Sequence, residues 1–178
     1  MEKERIRIIE SFSALLGEKP FDSITQKAVT ERADLPASAF SYCFHDMYAL
    51  ADALLEEERN TVAESGITPD SGGEAFLLSV SFALRNPAAA KNLVLSSAAG
   101  IYKKSVSILA SKYFSEVILK KSKETEPGEM ERSAVRFLRA SAVGLASKEL
   151  IRADDVRAEA EKYIEFFDIF TDNLQGKT

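Results

Sequence analysis

Tryptophan is absent from this chain, and cysteine and histidine occur once each, as Cys43 and His45. A lone cysteine excludes an intrachain disulfide and fits a reducing, cytoplasmic setting. A lone histidine two residues from that cysteine cannot complete a structural zinc site, and no nucleophile triad surrounds it. No metal and no cofactor are therefore expected. A glycine-rich phosphate loop is missing too, and together these shortages argue against an enzyme. No apolar run approaches the length of a membrane span. The charged start Met1-Glu2-Lys3-Glu4-Arg5 carries no sign of a signal peptide. With five prolines and eight glycines in 178 residues, long stretches are free to be helical.

What is present has helical spacing. The composition, 46% hydrophobic and 29% charged, is ordinary for a soluble helical protein. Ile8, Ile9, Phe12, Leu15 and Leu16 share one face of a helix expected over residues 4–16, with Gly17 ending it. Asp46 reads as the N-cap of a longer helix whose buried stripe is Leu50, Leu54 and Val62. Residues 65–73 form the clearest break, after which Ser71 and Glu74 make a capping box. Asn86-Pro87 opens another helix, which Gly100 is expected to interrupt. A long helix is expected over residues 101–123, with Val106, Leu109, Tyr113, Val117 and Ile118 on one face. Two final helices are expected over 129–150 and 154–174.

The most specific signal lies near the start. Ile24 to Phe44 reads as two short helices joined by a tight turn. Ala28 and Ala33 leave room for a close crossing, while Val29, Leu35, Phe40 and Phe44 supply an apolar wedge. That arrangement holds a DNA-reading helix on a small core.

These residues resemble the tetracycline-repressor (TetR) family of transcriptional regulators. The matching positions are Phe12, Pro20-Phe21, Thr25, Val29-Thr30, Ala33-Asp34-Leu35-Pro36, Tyr42-Cys43-Phe44 and Asp46-Met47, with Leu50 and Leu54 beyond. They cover roughly the first third of the chain. Asp34 stands where the family has a turn glycine, and it tolerates a left-handed backbone better than most residues. Pro36 replaces the usual capping serine, Ser41 a phosphate-contacting tyrosine with Tyr42 beside it, and Met47 a lysine. The resemblance implies an all-α fold with a three-helix DNA-binding domain at residues 1–46. A helical ligand-sensing and dimerisation domain at 47–178 follows.

Geometry assigns expected roles in such a head. Ala37, Ser38, Ser41 and Tyr42 face base edges or the nearest phosphates, Thr25 offers a hydroxyl to a phosphate, and His45 lies near the backbone. Lys27 and the N-terminal Lys3, Arg5 and Arg7 are the nearby cations. Phe76, Phe82, Tyr102, Tyr113, Phe114 and Phe137 are candidates to line an apolar ligand cavity with phenol handles. Small residues at Ser141 and Gly144, with Leu145, face a broad apolar set of Tyr163, Phe166, Phe167 and Phe170. Two such helices from each subunit would bury that surface in a four-helix homodimer.

Charge distribution opposes the simplest version of this reading. Residues 1–60 hold seven Lys/Arg against twelve Asp/Glu, whereas the remainder is neutral. DNA-binding heads are usually basic, because phosphate neutralisation supplies most non-specific affinity. The function that the resemblance implies is nevertheless a ligand-responsive repressor binding a palindromic operator as a dimer. The alternative is a helical protein-interaction module of the same fold with weakened DNA binding.

Overall fold

The computed structural model describes residues 2–122 and 126–174, so the expected helix end at 123 and the last four residues lie outside the described residues. Among the described residues every regular element is helical. The first helix, α1 (Glu2–Glu18), buries Ile8, Ile9, Phe12, Leu15 and Leu16 along one face. Gly17 does not end it, because one glycine costs a helix only about 1 kcal/mol relative to alanine. A 3-10 turn at Phe21–Ser23 leads to α2 (Gln26–Arg32). Thr25 caps α2, its hydroxyl accepting the Ala28 N–H at 3.2 Å. Then come α3 (Ser38–Cys43), where the sequence leads one to expect about 36–44, and α4 (Met47–Glu64). Asp46 caps α4 as expected, accepting the Ala49 N–H at 2.7 Å.

The remaining helices are α5 (Gly72–Ser79), α6 (Ser81–Arg85), α7 (Pro87–Val94), α8 (Ala99–Ser122), α9 (Glu129–Lys148), α10 (Val156–Glu161) and α11 (Ile164–Asp172). Ser71 accepts the Glu74 N–H at 3.2 Å, but the Glu74 carboxylate accepts from Asp70 N–H at 2.7 Å, one residue before the expected partner. Gly100 interrupts nothing and lies in the first turn of α8. The break precedes it, where Ser96 Oγ accepts the Ala98 N–H at 3.2 Å and donates to the Leu93 carbonyl at 2.7 Å. The last expected helix is two helices, α10 and α11, with Lys162 and Tyr163 between them.

One hydrophobic core runs from Ile8 in α1 to Phe167 in α11. α8 is its central rod, packed against α4, α5, α7, α9 and α11. Phe167 is fully buried and lies stacked between Phe76 of α5 at 4.6 Å and Phe114 of α8 at 5.3 Å between ring centroids. Gly72 and Gly73 make this seating possible. A Cβ on Gly72 would collide with the Phe167 carbonyl, and one on Gly73 would lie 3.1 Å from Ile164 O. The Gly73 N–H also donates to Asp168 Oδ1 at 2.6 Å, placing a carboxylate at the positive end of α5.

These glycines therefore differ from Gly17, whose Cβ would meet nothing within 4 Å. Gly17→Ala is expected to stabilise the fold by about 0.5 kcal/mol through helix propensity. Gly72→Ala is expected to destabilise it by about 2 kcal/mol through overpacking. Urea denaturation of both variants checks the pair, and equal midpoints would remove the close-approach argument.

Candidate nucleic-acid interface

The α2–α3 unit is held together by its turn. Asp34 adopts a left-handed backbone at φ 51°. Its N–H donates to the Glu31 carbonyl at 3.1 Å and the Leu35 N–H to the Thr30 carbonyl at 3.0 Å. That pair of bonds is a Schellman stop, which satisfies the last carbonyls of α2 and turns the chain. Arg7 of α1 donates to the Ala33 carbonyl and to the Asp34 carbonyl, the latter at 3.3 Å. A cation at this helix end suits the macrodipole and ties α1 to the turn.

α3 buries Ala39 and Phe40, whose ring meets Phe44 at 5.9 Å, beneath its inner face. Ala37, Ser38, Ser41, Tyr42 and His45 are all exposed, Tyr42 at 81%. Thr25 and Lys27 are exposed at the start of α2. The structure thus brings Ala37, Ser38, Ser41 and Tyr42 onto one outward face. Cys43 is half-buried against the core.

The cations around this face are engaged with acids. Arg5 donates to Glu57 at 2.8 Å and lies over the Phe44 ring, Lys27 sits 3.6 Å from Glu31, and Arg32 pairs with Glu18 at 2.7 Å. Arg7 is occupied at the turn. Lys3, Arg5 and Arg7 all belong to α1, which begins at Glu2. Exposed pairs of this kind are worth less than about 1 kcal/mol, so a phosphate can displace the carboxylate. The displaced acid nevertheless stays nearby and repels the same phosphate.

The head is fastened to the other helices by polar contacts. Asn92 of α7 donates to the Leu16 carbonyl at 2.7 Å, and the Ser97 N–H, between α7 and α8, donates to Asp22 Oδ2 at 3.2 Å. Between α1, α4 and α7 lies an open groove of about 730 Å3. Its walls include Ile6 and Ile9 of α1, Leu54 and Thr61 of α4, and Pro87 and Ala88 of α7. Helical periodicity could not reveal it, because the groove arises between elements distant in sequence.

The aromatic candidates for a ligand cavity sit elsewhere. Phe76, Phe82, Tyr102, Tyr113 and Phe114 are buried in the core and line neither the groove between α1, α4 and α7 nor a second one between α8 and α9. Their spacing signalled burial, which core and cavity share. Phe137 is half exposed and stacks on Phe170 at 5.2 Å.

The dimer candidates divide in the same way. Phe167 is a core residue with no surface to offer a partner. Gly144 lines a groove between α8 and α9. Ser141 donates to the Phe137 carbonyl at 3.0 Å, Leu145 packs partly against the core, and Tyr163 meets Phe76 edge-on at 6.3 Å. Phe137, Phe166, Ile169 and Phe170 remain as an outward apolar patch, with Phe166 49% and Ile169 53% exposed.

The hydroxyls of Tyr102 and Tyr113 are buried without a hydrogen-bond partner among the described residues, and burial pushes both phenols up. An unsatisfied buried hydroxyl costs stability. Tyr102→Phe should accordingly raise stability by about 1 kcal/mol in thermal denaturation. A lowered midpoint would mean that the hydroxyl has a partner, such as an ordered water.

No family model matches the chain, and no curated protein matches it. Among solved structures it is similar to a tetR-family transcriptional regulator from Streptomyces coelicolor. That similarity covers 96% of this chain and 81% of the other, with a TM-score of 0.63 and 16% identity. At that identity the likeness speaks for architecture: the chain has the fold of a tetR-family transcriptional regulator.

Proposed function

We propose that the protein is a DNA-binding transcriptional regulator that acts as a homodimer and responds to a small molecule. The observation that carries this reading is the α2–α3 unit, stopped at Asp34 and presenting Ala37, Ser38, Ser41 and Tyr42 outward. Residues 1–46 form the DNA-reading part and 47–178 the sensing and dimerising part. The first turn of α3 enters the major groove, where Ser38 and Ser41 hydrogen-bond to base edges and Ala37 packs on a thymine methyl. Tyr42 and His45 lie beside phosphates, and Thr25 and Lys27 hold the backbone at the start of α2. A palindromic operator would place two such heads about 34–36 Å apart. Repression follows from the resemblance to the family.

The effector belongs in the groove between α1, α4 and α7, which none of the aromatic candidates lines. The groove has the volume of small-molecule sites. An occupant there touches helices of both parts, so it can favour one head orientation over another, as a shift in population requires.

A second reading, the protein-interaction module, is favoured by one observation, the engagement of Arg5, Lys27 and Arg32 with carboxylates. Fluorescence anisotropy against DNA from upstream of the gene, with scrambled DNA alongside, separates the two. The regulator prefers the native fragment at physiological salt; absence of preference at low and physiological salt selects the interaction module. With few phosphates neutralised, the salt dependence should be shallow, each contact contributing about −0.9 to the log–log slope. Glu31→Gln, which frees Lys27, is expected to tighten binding about threefold and steepen that slope.

Dimerisation has its own test. Phe137→Asp combined with Phe166→Asp should give a monomer of native helicity by light scattering and circular dichroism. Persistence of a dimer would put the interface elsewhere.

A further inference from the structure

A second open groove, of about 670 Å3, runs between α8 and α9. Its walls carry Lys103 and Lys104 from α8 and Arg139 and Lys148 from α9, with the hydroxyls of Ser107 and Ser147. Four cations around one groove are unexpected in a chain with a net charge of −5. Several cations elsewhere are matched to acids, as in Arg32 with Glu18, Arg85 with Glu58 and Lys121 with Asp172. Here only Lys104 is matched, to Asp52 of α4 at 3.2 Å. Lys103, Arg139 and Lys148 meet no carboxylate among the described residues.

Several further features fit the same ligand chemistry. Gly100 lies in the first turn of the 24-residue α8, where the helix dipole adds positive potential. Gly100 and Gly144 leave the floor open, since a Cβ at either would meet nothing within 4 Å. Ala140 and Val143 add an apolar strip. Like charges gathered in a concave site raise the local concentration of counter-ions. Arg139 can hold a carboxylate or phosphate in two parallel hydrogen bonds, and the lysines act as point charges.

We infer that the α8–α9 groove is a binding site for a small organic anion carrying two or more negative charges, a phosphate ester or a polycarboxylate. The occupant competes with Asp52 for Lys104 and so loosens the ion pair joining α8 to α4. α4 is the helix that follows the α2–α3 unit, and the groove thereby communicates with the head. Binding itself stands apart from the DNA-binding reading, because none of the groove residues lies in α1, α2 or α3.

Isothermal titration calorimetry of the full chain with ADP, and separately with citrate, at physiological ionic strength tests this. Saturable binding of ADP alone identifies an organic phosphate, of citrate alone a polycarboxylate, and of both the shared anionic chemistry. The exposed or half-exposed pair Lys103→Gln with Arg139→Gln should weaken the affinity about tenfold or more. Lys120→Gln, on the same helix away from the groove, should leave it unchanged. Asp52→Asn, which releases Lys104, should tighten binding severalfold. The inference is overturned by no saturable binding of either anion, by full affinity in the double variant, or by a groove that answers only to duplex DNA. An Asp52→Asn variant with unchanged or weaker binding would remove Lys104 from the site.

Discussion

The stack of Phe76, Phe167 and Phe114 organises the molecule. One ring, buried between two others, fixes α11 against both α5 and the central α8. Offset ring contacts add about 0.5–1.5 kcal/mol per pair beyond the area they bury. That rotation of α11 leaves Phe166 and Phe170 facing outward while Phe167 is consumed inside. The outward apolar patch is thus a by-product of the same helix that completes the core. Gly72, Gly73 and Asp168 secure the seating with close backbone approach and a hydrogen bond.

The head has a different economy of forces. Its shape rests on apolar packing around Phe12 and Phe40 and on the Schellman stop, while its surface cations are mostly committed to carboxylates. Shape and charge therefore carry different messages. The backbone presents a helix face suited to a groove, yet the electrostatic attraction that normally draws such a face to DNA is muted. Under the proposed function, sequence preference would come from hydroxyls, a phenol and an alanine methyl group, with little non-specific affinity beneath it.

Much of the fold was legible from local chemistry. Thr25, Asp46 and Ser71 each announce a helix start because a side-chain oxygen there satisfies an otherwise unpaired N–H. Asp34 was readable as a left-handed turn residue for an equally local reason. Gly17 and Gly100 misled, because a glycine weakens a helix without deciding where it ends. Periodicity placed Phe76, Tyr102 and Phe114 inward but could not separate a filled core from a cavity. Phe167 looked like interface for the same reason, since its partners lie far away in the chain. The two grooves were invisible: Lys103 and Arg139, or Gly17 and Pro87, become neighbours only through helix packing.

The bond from the Gly73 N–H to Asp168 spans 95 residues, and this has a consequence for how the chain is made. During synthesis α5 and α8 emerge with Phe76 and Phe114 facing a vacancy that only a much later segment can fill. Closing so long a loop is slow relative to forming the local helices. The nascent chain consequently carries an uncovered aromatic surface until α11 has been translated, the interval in which it is most open to misassociation.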